Sequence, residues 1–110
     1  MLTERKQEII RPCAEAGRVK WSTHATGEAA AEDLDQDQII QALAAGEIIE
    51  DYPWQHRPLP DCLVLGWLPD GLPVHACVGV DESNGRIFII TVYRPTEEKW
   101  ENDWRTRKQS

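Results

Sequence analysis

One histidine and one arginine are spaced so that two turns could place an acid–base group beside an anion-binding group. His75 follows Asp70-Gly71, and Arg94 lies in the segment after Asn84-Gly85. Both dipeptides are typical of two-residue β-hairpin turns, and counting outward from them places His75 opposite Arg94. A histidine can transfer protons near neutral pH, and an arginine can hold a phosphate through two hydrogen bonds. Such a pair could support RNA cleavage without a metal ion, with the RNA 2′-hydroxyl as nucleophile.

The same residues also have structural interpretations. His75 could satisfy a hydrogen bond within a strand while Arg94 ends one. His24, in WSTHA, precedes a predicted helix start, so it could point into a cleft, cap the helix or pack. His56 lies in a proline-rich connection, where solvation is the simplest interpretation. None of the three cysteines belongs to a CxxC pair, so we expect buried thiols and neither a metal nor a cofactor.

The N-terminal part of the chain is predicted to be helical. Apolar spacing predicts one helix over residues 3–16, ended by Gly17. A short stretch and a polar, alanine-rich run follow. A second helix is predicted from the capping residue Asp35 to Gly46.

From residue 47 the apolar period changes to that of β-strands. Strands are predicted for EIIEDY, CLVLGWL, VHACVGV and RIFIITVYR, which are residues 47–52, 62–68, 74–80 and 86–94. Thr96 is predicted to cap a final helix that carries Trp100 and Trp104 and ends near Lys108. These tryptophans could stack on bases, although docking of that helix onto the core is the simpler interpretation.

This order of elements predicts an α+β fold, with N-terminal helices packed on a four-stranded, mainly antiparallel twisted sheet and a C-terminal helix. The assumed register places His75 and Arg94 on a lightly covered face of the sheet. The bulkier face is expected to pack against the helices. Its predicted members are Leu63, Leu65, Trp67, Val78, Ile89, Thr91 and Tyr93.

Length and charge limit the function classes. The chain has 110 residues, as expected of one domain spanning residues 1–110, and a formal net charge of −7. We expect a cytoplasmic protein, because no apolar run is long enough to cross a bilayer and residues 1–10 do not resemble a signal peptide. Since phosphate neutralisation drives non-specific nucleic-acid binding, any RNA contact should come from the less acidic half after residue 52. Oligomeric state stays open, although EIIEDY could be an exposed edge strand.

Several strings occur together in order along the chain. They are WSTHA (21–25), GEIIEDYP (46–53), PDCLVLGW (60–67), PVHACV (73–78) and IITVYRP (89–95), followed by Trp100. In these strings the sequence resembles the domain of unknown function 4258 family over residues 18–108, with residues 1–17 as an N-terminal helical extension. The resemblance implies a fold similar to the barnase, colicin and RelE ribonucleases, and a bacterial-type, toxin-like ribonuclease often paired with a small zinc-finger antitoxin.

The resemblance also implies roles for individual residues. His24 or His75 would act as general base and acid, Arg94 would bind the scissile phosphate, and Thr91 and Tyr93 match the same ITVYRP strand. The sequence departs from the family where arginines are typical, because Glu28 and Glu32 stand there and EDL replaces RGI at residues 32–34. Carboxylates beside a phosphodiester would repel it, so either these positions face away from the groove or RNA cleavage has been lost.

Two functions therefore stay open. A metal-independent endoribonuclease predicts that His24, His75 and Arg94 converge on one positive cleft that binds RNA. A non-catalytic, acidic module that binds an antitoxin or another protein predicts an acidic groove around Glu28 and Glu32 with an exposed apolar patch. A nucleotide-binding protein using Trp67 or Tyr93 has less support, because no phosphate-binding loop is present.

Overall fold

The computed structural model describes residues 2–52 and 58–109, so His56 lies outside the described residues. The α+β class is confirmed. In chain order the elements are α1 (Thr3–Glu15), β1 (Val19–Trp21), α2 (Thr23–Ala31), α3 (Gln36–Ala44), β2 (Glu47–Asp51), β3 (Asp61–Trp67), β4 (Pro73–Asp81) and β5 (Arg86–Tyr93). Within the described residues, no helix combines the length and the apolarity needed to cross a bilayer.

Local hydrogen bonds set the ends of the helices. Gly17, with φ of +72°, follows the end of α1, and Asp35 Oδ1 accepts from the amide of Gln38 to cap α3 at 3.1 Å. Ser22 caps α2 in the same way, because its Oγ accepts from the amide of Ala25 at 2.9 Å. Asp33 follows α2 in the left-handed conformation, with φ of +55°.

The sheet has five strands in the order β1-β5-β4-β3-β2, so the prediction of four strands is wrong. The additional strand, β1, pairs in parallel with β5, whereas the other pairs are antiparallel. A three-residue strand is too short to show an alternating pattern. Its place follows from long-range bonds, in which the Ile87 amide donates to Arg18 O and the Ser22 amide donates to Ile89 O, both at 3.0 Å.

The strand register differs by one residue from the predicted one. His75 lies opposite Tyr93 and Leu65, not opposite Arg94 and Gly66. The cause lies in the connections, which are longer than two-residue turns. Residues 68–72 join β3 to β4, and a short 3₁₀ helix, Glu82–Asn84, precedes β5. An additional irregularity follows Cys77. The predicted His75–Arg94 pair is therefore wrong.

The shifted register also changes which face packs against the helices. Of the seven residues predicted to pack against the helices, only Val78 and Ile89 belong to the core that the helices share, so most of that prediction is wrong. The helices instead contact a face rich in small and β-branched side chains. Its buried members are Cys62, Val64, Val74, Ala76, Val78, Val80, Ile87, Ile89 and Val92. Small residues let α3 approach closely, since a Cβ on Gly66 would lie 2.7 Å from the carbonyl oxygen of Ala42.

Residues 96–109, which we call the C-terminal strap, form turns with one isolated antiparallel bridge between Trp100 and Arg107. The predicted C-terminal helix is therefore wrong. Asp103 Oδ1 accepts from the amides of Arg105 and Thr106 at 2.9 and 3.0 Å, and Trp104 has φ of +61°. Such local side-chain bonds to the backbone compete with helix formation. The strap instead packs its Trp100 against the sheet face opposite the helices.

Candidate functional site

His75 is completely buried beneath the C-terminal strap, with 0% of its surface exposed. Its Nε2 lies 2.7 Å from the carbonyl oxygen of Trp104 and its Nδ1 lies 3.1 Å from the Tyr93 hydroxyl. Because a carbonyl oxygen can only accept, Nε2 carries the proton and Nδ1 accepts from Tyr93. Both ring nitrogens of a neutral imidazole are thus used within the protein.

Aromatic packing and burial reinforce this neutral state. The rings of His75 and Trp100 meet edge to face with centroids 4.4 Å apart, and Trp100 is itself only 2% exposed. Burial lowers the pKa of His75, because the charged imidazolium would lose its hydration. Burial also raises the pKa of Tyr93 to about 12, so this hydroxyl keeps its proton at neutral pH. The lightly covered groove predicted around His75 is therefore wrong.

Two ion pairs fasten the strap to β2. Arg107 donates through Nε to Glu50 Oε2 at 2.6 Å and through Nη2 to Oε1 at 3.0 Å. Arg105 donates through both Nε and Nη2 to a single oxygen of Glu47, Oε1. The Arg107 hydrogen bond is the largest cause of the lowered pKa of Glu50. The guanidinium of Arg107 also stacks 4.7 Å from the Trp100 ring centroid. Both arginines therefore fasten the strap to β2.

Glu28 and Glu32 form what we call the carboxylate clamp between α2 and β5. Glu28 Oε1 accepts from Thr91 Oγ1 at 2.5 Å and from the Val92 amide at 3.0 Å. Glu32 Oε2 accepts from the Arg94 amide at 2.8 Å. The spacing fits, because four residues of a helix advance about 6 Å and two residues of a strand advance about 6.6 Å. Beyond Trp21 the chain leaves the sheet, so the clamp supplies acceptors that β1 no longer provides.

His24 lies on the exposed side of the clamp. Its side chain is 73% exposed, and its Nε2 lies 3.4 Å from Glu28 Oε1. The two residues are one helical turn apart on α2, which accounts for their contact.

The five predicted site residues separate into three places. Thr91 and His24 both contact Glu28, whereas Tyr93 contacts His75 on the strap side of the sheet. The guanidinium of Arg94 forms no hydrogen bond or ion pair with any described residue, and its Nη1 is buried. The contacts therefore do not join both histidines and the arginine in one cluster.

Sequence reasoning missed the residues that build these places. Glu47, Glu50 and the Trp104 carbonyl were not singled out, because their roles depend on how residues 96–109 turn. The clamp had a visible signal, since Glu28 and Glu32 are spaced i, i+4 on a helix beside a strand. As expected, the three cysteines are buried, and burial raises the pKa of Cys62 to about 12. No group of three His, Cys, Asp or Glu side chains within residues 2–52 and 58–109 could hold a metal ion.

These features define a small α+β domain in which a carboxylate clamp bonds β5 and a histidine of the neighbouring strand β4 is buried beneath the strap. The family model described as "Domain of unknown function (DUF4258)" matches residues 21–94, which is more than half of the chain, so the chain belongs to this family. No curated protein and no solved structure matches it.

The clamp generates a stability prediction. Glu28→Ala removes the acceptor of the Thr91 hydroxyl and the Val92 amide, so we expect the free energy of unfolding to fall by about 2 kcal/mol. Glu28→Gln keeps a carbonyl oxygen at this position and should lose less. The measurement is urea unfolding at neutral pH, with the exposed Glu15→Ala on α1 as control. A loss for Glu28→Ala no larger than for the control would show that the clamp is not structural.

The buried His75 generates a pH prediction. The unfolded chain binds a proton at this residue at a higher pH than the folded chain does, because burial lowers the folded-state pKa. The free energy of unfolding should therefore fall as the pH drops below about 6.5. Urea unfolding from about pH 7 to about pH 5 stays above the ordinary range of carboxylates.

His75→Phe should weaken this pH dependence, although it also lowers stability overall by leaving the Tyr93 hydroxyl and Trp104 carbonyl unpaired. His24→Ala, which removes an exposed histidine, is measured in parallel as the control. Identical slopes in the wild type and His75→Phe would contradict the prediction.

Proposed function

We propose that this chain is a non-catalytic binding module that keeps the fold of its family. The observation that carries the proposal is the burial of His75, which has no exposed surface and uses both ring nitrogens within the protein. A general acid or base must reach the proton that it transfers, directly or through one water. His75 instead holds the strap on the sheet.

The proposal includes a relationship to the RelE and barnase group of ribonucleases. Support comes from the helices packed on one face of a mainly antiparallel sheet and from the family strings that the chain carries. A fold accommodates many functions, so the chemistry must be argued from the site. In this chain the clamp carboxylates are used as acceptors for β5 rather than as groups that act on a substrate.

Charge supports a protein partner with a basic surface. Residues 21–56 contain eight Asp and Glu residues and neither Lys nor Arg. The three on β2 are neutralised by Arg105, Arg107 and Lys6. Among the described residues, the other five make no ion pair with Lys or Arg. They are Glu28, Glu32, Asp33, Asp35 and Asp37. The surface of α2 and the start of α3 therefore keeps an uncompensated negative charge.

A metal-independent endoribonuclease is the second candidate, and one observation favours it. His24 is exposed and lies 3.4 Å from Glu28 Oε1, so this pair could exchange a proton with a bound 2′-hydroxyl. In this alternative His24, and not His75, does the chemistry.

RNA cleavage distinguishes the two candidates. The purified protein, incubated with RNAs of varied sequence in the presence of a chelator, is expected to cleave no faster than a buffer control. His24→Ala and His75→Phe should behave identically to the wild type. Cleavage by the wild type that disappears in His24→Ala and survives in His75→Phe would establish the second candidate. Cleavage that needs His75 would contradict the proposal directly.

Partner binding provides the positive test. Asp33→Asn, Asp35→Asn and Asp37→Asn together remove three charges, while asparagine still caps a helix and tolerates the left-handed conformation. A protein partner isolated with the tagged wild type should be lost from this variant, and its binding should weaken with salt. The control changes Glu4, Glu8 and Glu15 of α1 to glutamine and should keep the partner. Equal binding by both triple variants would contradict a role for the α2–α3 surface.

A further inference from the structure

A cavity lies where β5 ends and the C-terminal strap begins. It has a volume of about 500 Å³ and opens between Tyr93 and Trp100, with Thr96 in its wall. Its charged lining residues are Arg94, Lys99, Arg107 and Glu98. The cavity is therefore lined by three cations and one carboxylate, in a chain whose net charge is −7.

Two of the three cations have no partner within the described protein. Arg107 is paired with Glu50 at 2.6 Å, whereas Arg94 and Lys99 make no side-chain hydrogen bond or ion pair with any residue in 2–52 or 58–109. Nη1 of Arg94 is also buried without an acceptor. A buried donor without an acceptor is unfavourable, so the Arg94 guanidinium gives up no internal hydrogen bond when it meets an anion in the cavity.

The backbone that carries these two cations is fixed. The Arg94 amide is held by Glu32 at 2.8 Å. The amides of Lys99 and Trp100 donate to Thr96 O at 3.2 and 3.0 Å, and the Lys108 amide donates to Lys99 O at 2.9 Å. The buried Trp100 anchors this turn from below. The two charges therefore extend from positions set before any ligand binds, which lowers the entropic cost of binding.

The chemistry of the lining fits one phosphate group. A guanidinium and an ammonium suit a dianionic phosphate, and the Thr96 hydroxyl adds another donor. Trp100 is buried beneath Arg107, so it offers no open face for base stacking. The strongly acidic remainder of the chain disfavours a long polyanion. We infer that this cavity binds a single phosphate group, either free or carried by a small ligand.

The test is an NMR titration of the full chain with inorganic phosphate at neutral pH and low salt, with chloride as the reference anion. We expect saturable shifts of amides in residues 93–100, and no such shifts with chloride. Arg94→Gln and Lys99→Gln should each weaken binding roughly tenfold, as expected for the loss of one charge-assisted hydrogen bond. Lys108→Gln and Lys20→Gln, which remove the same charge elsewhere, should leave the affinity within about twofold.

Further ligands separate the sources of the phosphate. A nucleoside monophosphate and a sugar phosphate should bind about as tightly as each other, because the cavity reads the phosphate alone. If a short RNA bound far more tightly than either, the inference of a single-phosphate site would be overturned in favour of nucleic-acid binding. Absence of saturable shifts in residues 93–100, or equal losses in the Lys99 and Lys108 variants, would also overturn it. Lys99 is exposed, so Lys99→Gln should fold. This variant therefore still tests the site if Arg94→Gln fails to fold.

Discussion

The hydrogen bond from His75 to the Trp104 carbonyl is the interaction on which the strap side of the molecule depends. It needs a neutral imidazole with the proton on Nε2, and the Tyr93 hydroxyl fixes that tautomer from the other side of the ring. Once the strap is held there, Trp100 completes the hydrophobic cover of the sheet. The arginines of the strap then meet the carboxylates of β2. A residue that sequence patterns associate with proton transfer thus acts as a structural fastener.

On the side of β5 that faces β1, the structure must supply hydrogen-bond acceptors for the strand's backbone amides. A strand needs partners for its amides on both sides, and β1 is only three residues long. Helix α2 begins immediately after it and runs beside β5, so Glu28 and Glu32 reach the amides of Val92 and Arg94. Glu28 and Glu32 thus have a structural role in backbone hydrogen bonding. Each carboxylate accepts a hydrogen bond from this backbone.

The apolar pattern of the sequence predicted α1, α3 and strands β2 to β5, because each is long enough to show its period and is bounded by a strong capping or turn residue. The pattern could not predict β1, which is defined only by its pairing with β5. It also could not predict register, because one added residue in a connection shifts every pair, and that moved His75 from Arg94 to Tyr93. The C-terminal helix failed for a local reason, since Asp103 offers the backbone an alternative set of hydrogen bonds.

The carboxylate clamp has a consequence for how the protein behaves at high concentration. Without it, the amides of Val92 and Arg94 would form an unpaired strand edge beyond the end of β1. Such edges are templates on which a neighbouring molecule can add its own strand, the first step of sheet-to-sheet aggregation. Helix α2 closes this edge with side chains instead of backbone, and the closure carries charge that repels a second copy. The clamp therefore closes a strand edge that could otherwise pair with a second copy, in addition to supporting the folded sheet.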